Sequence, residues 1–190
     1  MIDETRGKLI AAARKAFADK GFADAAMDEL TAEAGLTRGA LYHHFGDKKG
    51  LLAAVVALVD SEMAERAHQI VQQSGTDDPW EQLIAEGVAY TELALDPEIQ
   101  RIVLRDGPAY LGDPSLWPSQ NSCLQTTQAK LAGLIEAGVV KNVDPEAAAR
   151  LINGAALNAA LWVASSGQPK DVLPKAQQAF REMMSGLLKP

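Results

Sequence analysis

Between Thr37 and Phe45 the chain reads TRGALYHHF, which sets several hydrogen-bond donors beside two residues with almost no side chain. On a helix turning about 100° per residue, Leu41 and Phe45 share one side. Gly39 and His43 lie opposite, with Ala40 and Tyr42 at the edges and Arg38 and His44 on the flanks. The chemistry such a face can do is non-covalent. Its donors suit base edges and phosphate oxygens, and its small residues allow close approach, as a helix in the DNA major groove requires. The pair His43-His44 raises metal binding as an alternative, but adjacent helix residues do not face each other, so no metal is expected. A Ser-His-acid arrangement, a phosphate-cradling loop and a paired-carboxylate motif are all missing from the sequence, so no catalytic residue and no cofactor is expected.

The elements around this run must hold it. Met27, Leu30 and Ala34 stand at i, i+3 and i+7, one apolar face of a first short helix. Gly35 follows, at the point where a helix commonly ends in a left-handed residue. Leu36 can pack back over the turn, and Thr37 suits the N-cap of a second helix through Phe45. Helix, tight glycine-containing turn, helix is the outline of a helix-turn-helix. Thr5 to Lys20 forms a preceding helix with Leu9, Ala13, Ala16 and Phe17 on one side, ended by Gly21. The expected core of this three-helix head is Ile10, Phe17, Phe22, Leu30, Leu41 and Phe45.

From Gly21 to Leu52 the run GFADAAMDELTAEAGLTRGALYHHFGDKKGLL resembles the DNA-binding domain of the TetR family of bacterial transcription regulators. The specific part is Ala34-Gly35-Leu36-Thr37-x-Gly39-x-Leu41-Tyr42-x-His44-Phe45, followed by Lys48 and Leu51-Leu52. The resemblance implies DNA contacts from Met27, Asp28, Thr37, Arg38, Gly39, Ala40, Tyr42, His43, His44 and Lys48, with Tyr42 on a backbone phosphate. Lys48 also sits at a helix start, where the dipole disfavours a cation, and a phosphate alongside would remove that conflict. The chain departs from the family at Ala25 and Ala26, where a threonine usually both caps the first helix of the motif and touches a phosphate. Asp24 is expected to cap instead.

The 190 residues carry a net charge of −7. Residues 1–50 hold eight basic and eight acidic side chains, so the whole excess lies beyond them. This asymmetry suits a DNA-reading head on an acidic body that phosphates repel. A neutral head gives weak non-specific affinity, so binding should rest on a few placed contacts and on dimerisation. Cys123 is the single cysteine, which excludes a disulfide framework. The N-terminal MIDETRGK lacks the apolar stretch of a signal peptide, and no charge-free run reaches a membrane span, so a cytoplasmic protein is expected.

Beyond the head the pattern stays helical. Asp47 caps a long helix from about Lys48 to Gln73. Asp78-Pro79, Asp96-Pro97 and Asp144-Pro145 each mark a new start. Arg105 to Ser119, with its glycines and prolines, reads as a loop of at most a turn or two of helix, a candidate lid. Ser122 to Ala137 is helical. Leu151 to Ser166 carries no charge, so that helix is expected to be buried all round, partly against a second subunit, with Ala156 and Ala160 at the seam. A last helix runs from Pro174 to Leu188. The large aromatics Trp80, Tyr90, Tyr110, Trp117 and Trp162, with Asn158, are the candidates for lining a ligand pocket.

The reading is an all-α protein of about nine helices. Residues 1–47, continuing into the linking helix to about residue 63, form the helix-turn-helix domain. Residues 48–190 form a ligand-binding and dimerisation domain. The resemblance implies a ligand-responsive repressor, a homodimer on palindromic double-stranded operator DNA, released by a small apolar or aromatic effector, with no membrane partner. An activator or ligand-free regulator of the same fold is the alternative, and a helical enzyme or binding protein is a more distant one.

Overall fold

The structure is a computed structural model that describes residues 2–190; the reading of the chain start as lacking a signal peptide rests partly on Met1, outside the described residues. Its α-helices are α1 Ile2–Lys20, α2 Met27–Glu33, α3 Arg38–Phe45, α4 Lys48–Ser74, α5 Pro79–Leu93, α6 Pro97–Arg101, α7 Gly107–Leu111, α8 Pro118–Glu136, α9 Pro145–Ser165 and α10 Pro169–Ser185. A π-helical turn, Ile102–Asp106, joins α6 to α7 without a break. These make nine continuous helices among the described residues, and no strand beyond one isolated bridge between Val140 and Leu188. The fold is all-α.

The chain forms two compact units, one reaching to Asp60 and including Pro97–Pro114, the other made of Ser61–Asp96 and Ser115–Pro190. In the first, the buried residues include Leu9, Ala13 and Phe17 of α1, Leu30 of α2, Leu41 of α3 and Leu51, Leu52 and Val55 of α4. Ile10, Phe22 and Phe45, expected in this core, are only half-buried. Leu9 takes the place given to Ile10, because the stripe of Ala13 and Phe17 continues to i−4 and not i−3. Ile99, Ile102 and Val103, from the later segment, are buried with them. That segment is tied down by polar contacts. Arg14 donates from Nε and Nη2 to the two carboxylate oxygens of Glu98 at 2.8 Å each. The Phe22 N–H donates to Asp106 Oδ2 at 2.7 Å, and the Tyr110 ring lies 4.4 Å from that of Phe22.

The expected loop over Arg105 to Ser119 is therefore mostly helix. Proline normally breaks a helix because it lacks an N–H and its ring strikes the carbonyl four residues back. Here the turn before Pro108 is widened: the Gly107 N–H bonds to the Ile102 carbonyl, five residues back, so the ring enters without that clash. A 3₁₀ turn at Pro114–Leu116 and the start of α8 at Pro118 leave little loop. The last helix also begins earlier than expected. Pro174 lies inside α10, where its missing bond falls to the exposed Lys170 carbonyl in the first turn.

In the second unit Asp78 and Asp144 cap α5 and α9, accepting from Trp80 N at 2.9 Å and Ala147 N at 2.7 Å. The core gathers Trp80, Leu83 and Ile84 of α5, Leu131 and Leu134 of α8, Ile152 and Ala156 of α9 and Phe180 and Met184 of α10. Helix α9 is long and apolar enough to cross a membrane by length and composition, and it packs against α5, α8 and α10. Within its own unit one side of it stays open. Leu151 is 75% exposed and Trp162 49%, whereas Ala156 and Ala160, expected at a subunit seam, are 7% and 0% exposed within their own unit.

Candidate nucleic-acid interface

Helix α2 ends in a two-bond turn. The Leu36 N–H reaches the Thr31 carbonyl at 2.8 Å and the Gly35 N–H reaches that of Ala32 at 3.0 Å. This arrangement needs a left-handed residue at its centre, and Gly35 has φ +66°. Thr37 then caps α3, its Oγ1 accepting from Ala40 N at 3.2 Å. Leu41 anchors α3 with no exposure, and Phe45 lies beneath the Arg6 guanidinium, 5.4 Å from ring centre. Gly46 turns the chain at φ +77°, and Asp47 Oδ1 accepts from Gly50 N at 2.7 Å. A Cβ on Gly50 would stand 2.0 Å from the Phe45 carbonyl oxygen, so only glycine lets α4 start this close to the end of α3. No local pattern in the sequence marks Gly50 for this contact.

Thr37, Arg38, Gly39 and His43 are exposed, as is Tyr42 at 53%. Ala40, His44 and Met27 are half-buried. The proposed contact residues are thus all exposed or half-buried, with three qualifications. Asp28 does not stand free: both its carboxylate oxygens accept from Arg38, from Nε and Nη2. Lys48 is half-buried, donates to the Ala23 carbonyl at 3.2 Å and lies 4.5 Å over the Phe22 ring. Burial pulls its ammonium below the usual lysine range, and the Ala23 carbonyl and the ring answer much of the conflict at the start of α4. And Asp24 does not cap α2. The cap is Ala26, in extended conformation, with no side-chain bond.

All three carboxylates of α2 are matched. Glu29 accepts from Lys20 at 2.6 Å and Glu33 from Lys15 at 3.0 Å, the third being the Asp28–Arg38 pair. These hydrogen bonds raise both lysines and lower the Asp28 carboxyl from their ordinary values. No group of three or more His, Cys, Asp or Glu that could hold a metal occurs among the described residues.

Residues 9–55 match the family model of the bacterial regulatory proteins of the tetR family, and residues 80–187 that of the tetracyclin repressor-like C-terminal domain. The chain belongs to the TetR family. It is a helix-turn-helix, DNA-binding transcription regulator. A TetR-family transcriptional regulator from Pectobacterium atrosepticum is 49% identical, with a TM-score of 0.88 over 100% of this chain and 97% of that one. The transcriptional repressor AcnR of Corynebacterium glutamicum is 26% identical over 142 residues, 74% of this chain and 71% of that protein. RolR, solved with the ligand resorcinol, shares the fold at 19% identity and a TM-score of 0.70, over 100% of this chain and 97% of that one.

The six residues considered for a ligand pocket are distributed over both units. Tyr110 sits on α7 in the first unit. Asn158 and Trp162 are exposed on α9. Trp80 and Tyr90 belong to the core of the second unit, and Trp117 is buried in that unit at the start of α8. Three buried atoms there have no hydrogen-bond partner among the described residues: Trp117 Nε1, Ser119 Oγ and Asn153 Nδ2. Asn153 uses its oxygen to accept from Thr127 Oγ1 at 3.0 Å. Ser119 and Asn153 escaped the sequence reading, although Asn153 is the asparagine adjacent to the buried Ile152.

Proposed function

We propose that the chain is a repressor that sits as a homodimer on a palindromic operator in the cytoplasm and leaves it when a small molecule enters the second unit. The observation that carries the DNA half is the exposed donor face of α3, fixed by the α2 turn, the Thr37 cap and the Gly50 contact. A single short recognition helix reads few base pairs, and a two-fold dimer doubles the site. The exposed apolar side of α9, Leu151 and Trp162 with Asn158 between them, supplies a surface for such pairing, as does Met183 of α10 at 54% exposure.

For the effector, Trp117 Nε1 and Asn153 Nδ2 can only donate, and a donor left unpaired in an interior costs on the order of 1–3 kcal/mol. Such groups favour an aromatic molecule carrying acceptor oxygens, and RolR, of the same fold, holds the phenolic ligand resorcinol. The signal has two covalent routes to the head: α4, which runs through both units, and residues 97–114, which join the first unit while both chain ends continue into the second. Release requires a coupling of about 1–3 kcal/mol or more between the sites.

Fluorescence anisotropy on the DNA upstream of its own gene tests the first half. Wild type should bind, and Arg38→Ala with Tyr42→Ala should not; equal binding by both removes α3 as the reading element. A reporter driven by that DNA should fall in the presence of the protein, and a rise would make it an activator. Thermal shift against phenols and aromatic acids, repeated on Trp117→Phe, tests the effector. Equal response of the variant removes Trp117 from its site.

A further inference from the structure

The ion pair between Asp28 and Arg38 crosses the turn from α2 to α3, and its stability role is small. Both side chains are open to solvent, 72% and 57% exposed, and pairs of that kind contribute little to folding. Its geometry is nonetheless tightly specified. Arg38 uses Nε and Nη2 together, one on each oxygen of Asp28, so the plane of the guanidinium is set by the carboxylate. Arg38 is the first residue of α3, the part of a recognition helix that meets base edges. A cation there opposes the helix dipole, and an unmatched carboxylate at Asp28 would face the phosphates of bound DNA. Asp28 suits the first turn of α2, where the dipole favours a carboxylate, and the pair answers both the cation at the start of α3 and the anion facing the phosphates.

We propose that Asp28 is a positioning residue which aims Arg38 at guanine. A guanidinium has five N–H groups in a rigid fork. With Nε–H and one Nη2–H on Asp28, one hydrogen of Nη1 and the second of Nη2 remain side by side at the end of the side chain. Two parallel donors match a base edge with two adjacent acceptors. In the major groove only guanine presents that, at O6 and N7. Adenine sets a donor beside its acceptor, thymine a methyl group, and cytosine offers a donor. A free arginine can also reach phosphates; one held on Asp28 is kept from them and pays less ordering entropy when it meets the base. The inference rests on the reading of α3 as the DNA-reading helix and adds to it a named base and a second residue that imposes it.

The test is selection of binding sites from a randomised duplex library by the full-length protein, followed by binding to single-base variants of the selected site. Wild type should require one guanine in each half-site, and Arg38→Ala should lose that preference by roughly five- to 150-fold. Arg38→Lys, which keeps the charge but not the fork, should bind while discriminating poorly. Asp28→Asn should lose several-fold discrimination at the same guanine while its affinity for unrelated DNA rises, because a negative charge has left the face. A carboxylate that merely supported the fold would lower both affinities together, so that outcome overturns the proposal. So does an Asp28→Asn protein that keeps the full guanine preference, or an Arg38-dependent position that is not guanine. A wild type that enriches no sequence overturns the reading of α3 itself.

Discussion

Ala26 offers a direct measure of what the chain gave up at the start of α2. The residue caps a seven-residue helix from an extended backbone, φ −77° and ψ 138°, and bonds nothing with its side chain. That backbone is already the one a capping serine adopts, and the position is exposed, so Ala26→Ser needs no rearrangement and uncovers no core. The hydroxyl would accept from the N–H of Asp28 or Glu29. A cap of this type contributes about 0.5–2 kcal/mol, centred near 1. For a chain of this length about 1 kcal/mol raises the melting temperature by roughly 2–4 °C. The neighbouring substitution gives the opposite sign. Ala25 is 1% exposed, and Ala25→Ser would put a hydroxyl into the core of the first unit at a cost of about 1–3 kcal/mol. Thermal unfolding followed by circular dichroism at fixed pH and salt reads both. By the resemblance at this position the added hydroxyl also meets a phosphate, so operator affinity should rise a few-fold, with the salt dependence unchanged because no charge is added. The reasoning fails if Ala26→Ser leaves the melting temperature unchanged, or if both serines shift it in the same direction.

Other substitutions probe separate contacts. Gly50→Ala would set a methyl 2.0 Å from the Phe45 carbonyl, so operator binding should drop at least tenfold in anisotropy titrations even if the helix content holds. Gly87→Ala would meet the Phe180 ring at 2.6 Å in the second unit; overpacking of this kind costs about 1–3 kcal/mol, visible in urea unfolding, with DNA contacts untouched. Trp162→Glu should turn the dimer into a monomer in light scattering while far-UV circular dichroism stays unchanged, whereas Ala160→Glu should unfold the second unit, since Ala160 is wholly buried there.

The helix-turn-helix was legible because its signals are local. Gly35, Thr37, Gly46 and Asp47 each act within a few residues of where they stand, and each does what its type suggests. What resisted reading depends on partners far along the chain. Asp106 meets the backbone of Phe22 across 84 residues, and nothing in a stretch of glycine and proline announces that. Pro108 read as a helix breaker because a widened turn that admits a proline ring leaves no mark in composition. The charge-free run from Leu151 gave helix α9 but not its phase. Small residues look alike from every side, so composition does not show that Ala156 and Ala160 turn inward, and the orientation of Asn153 follows only once Ile152, Ala156 and Ala160 are seen to be buried.

The return of residues 97–114 to the first unit also bears on how this protein is made and inherited. A ribosome finishes the helix-turn-helix early, yet the unit that carries it still lacks Ile99, Ile102 and the Glu98 partner of Arg14 until more than half of the chain has emerged. The head cannot reach its final stability as an independent, first-born domain, as N-terminal domains usually do. Cutting the gene after Asp60 would therefore release a weakened fragment. Exchange of heads between such regulators would need a matched pair of segments, because a graft of the first sixty residues alone would meet a foreign 97–114.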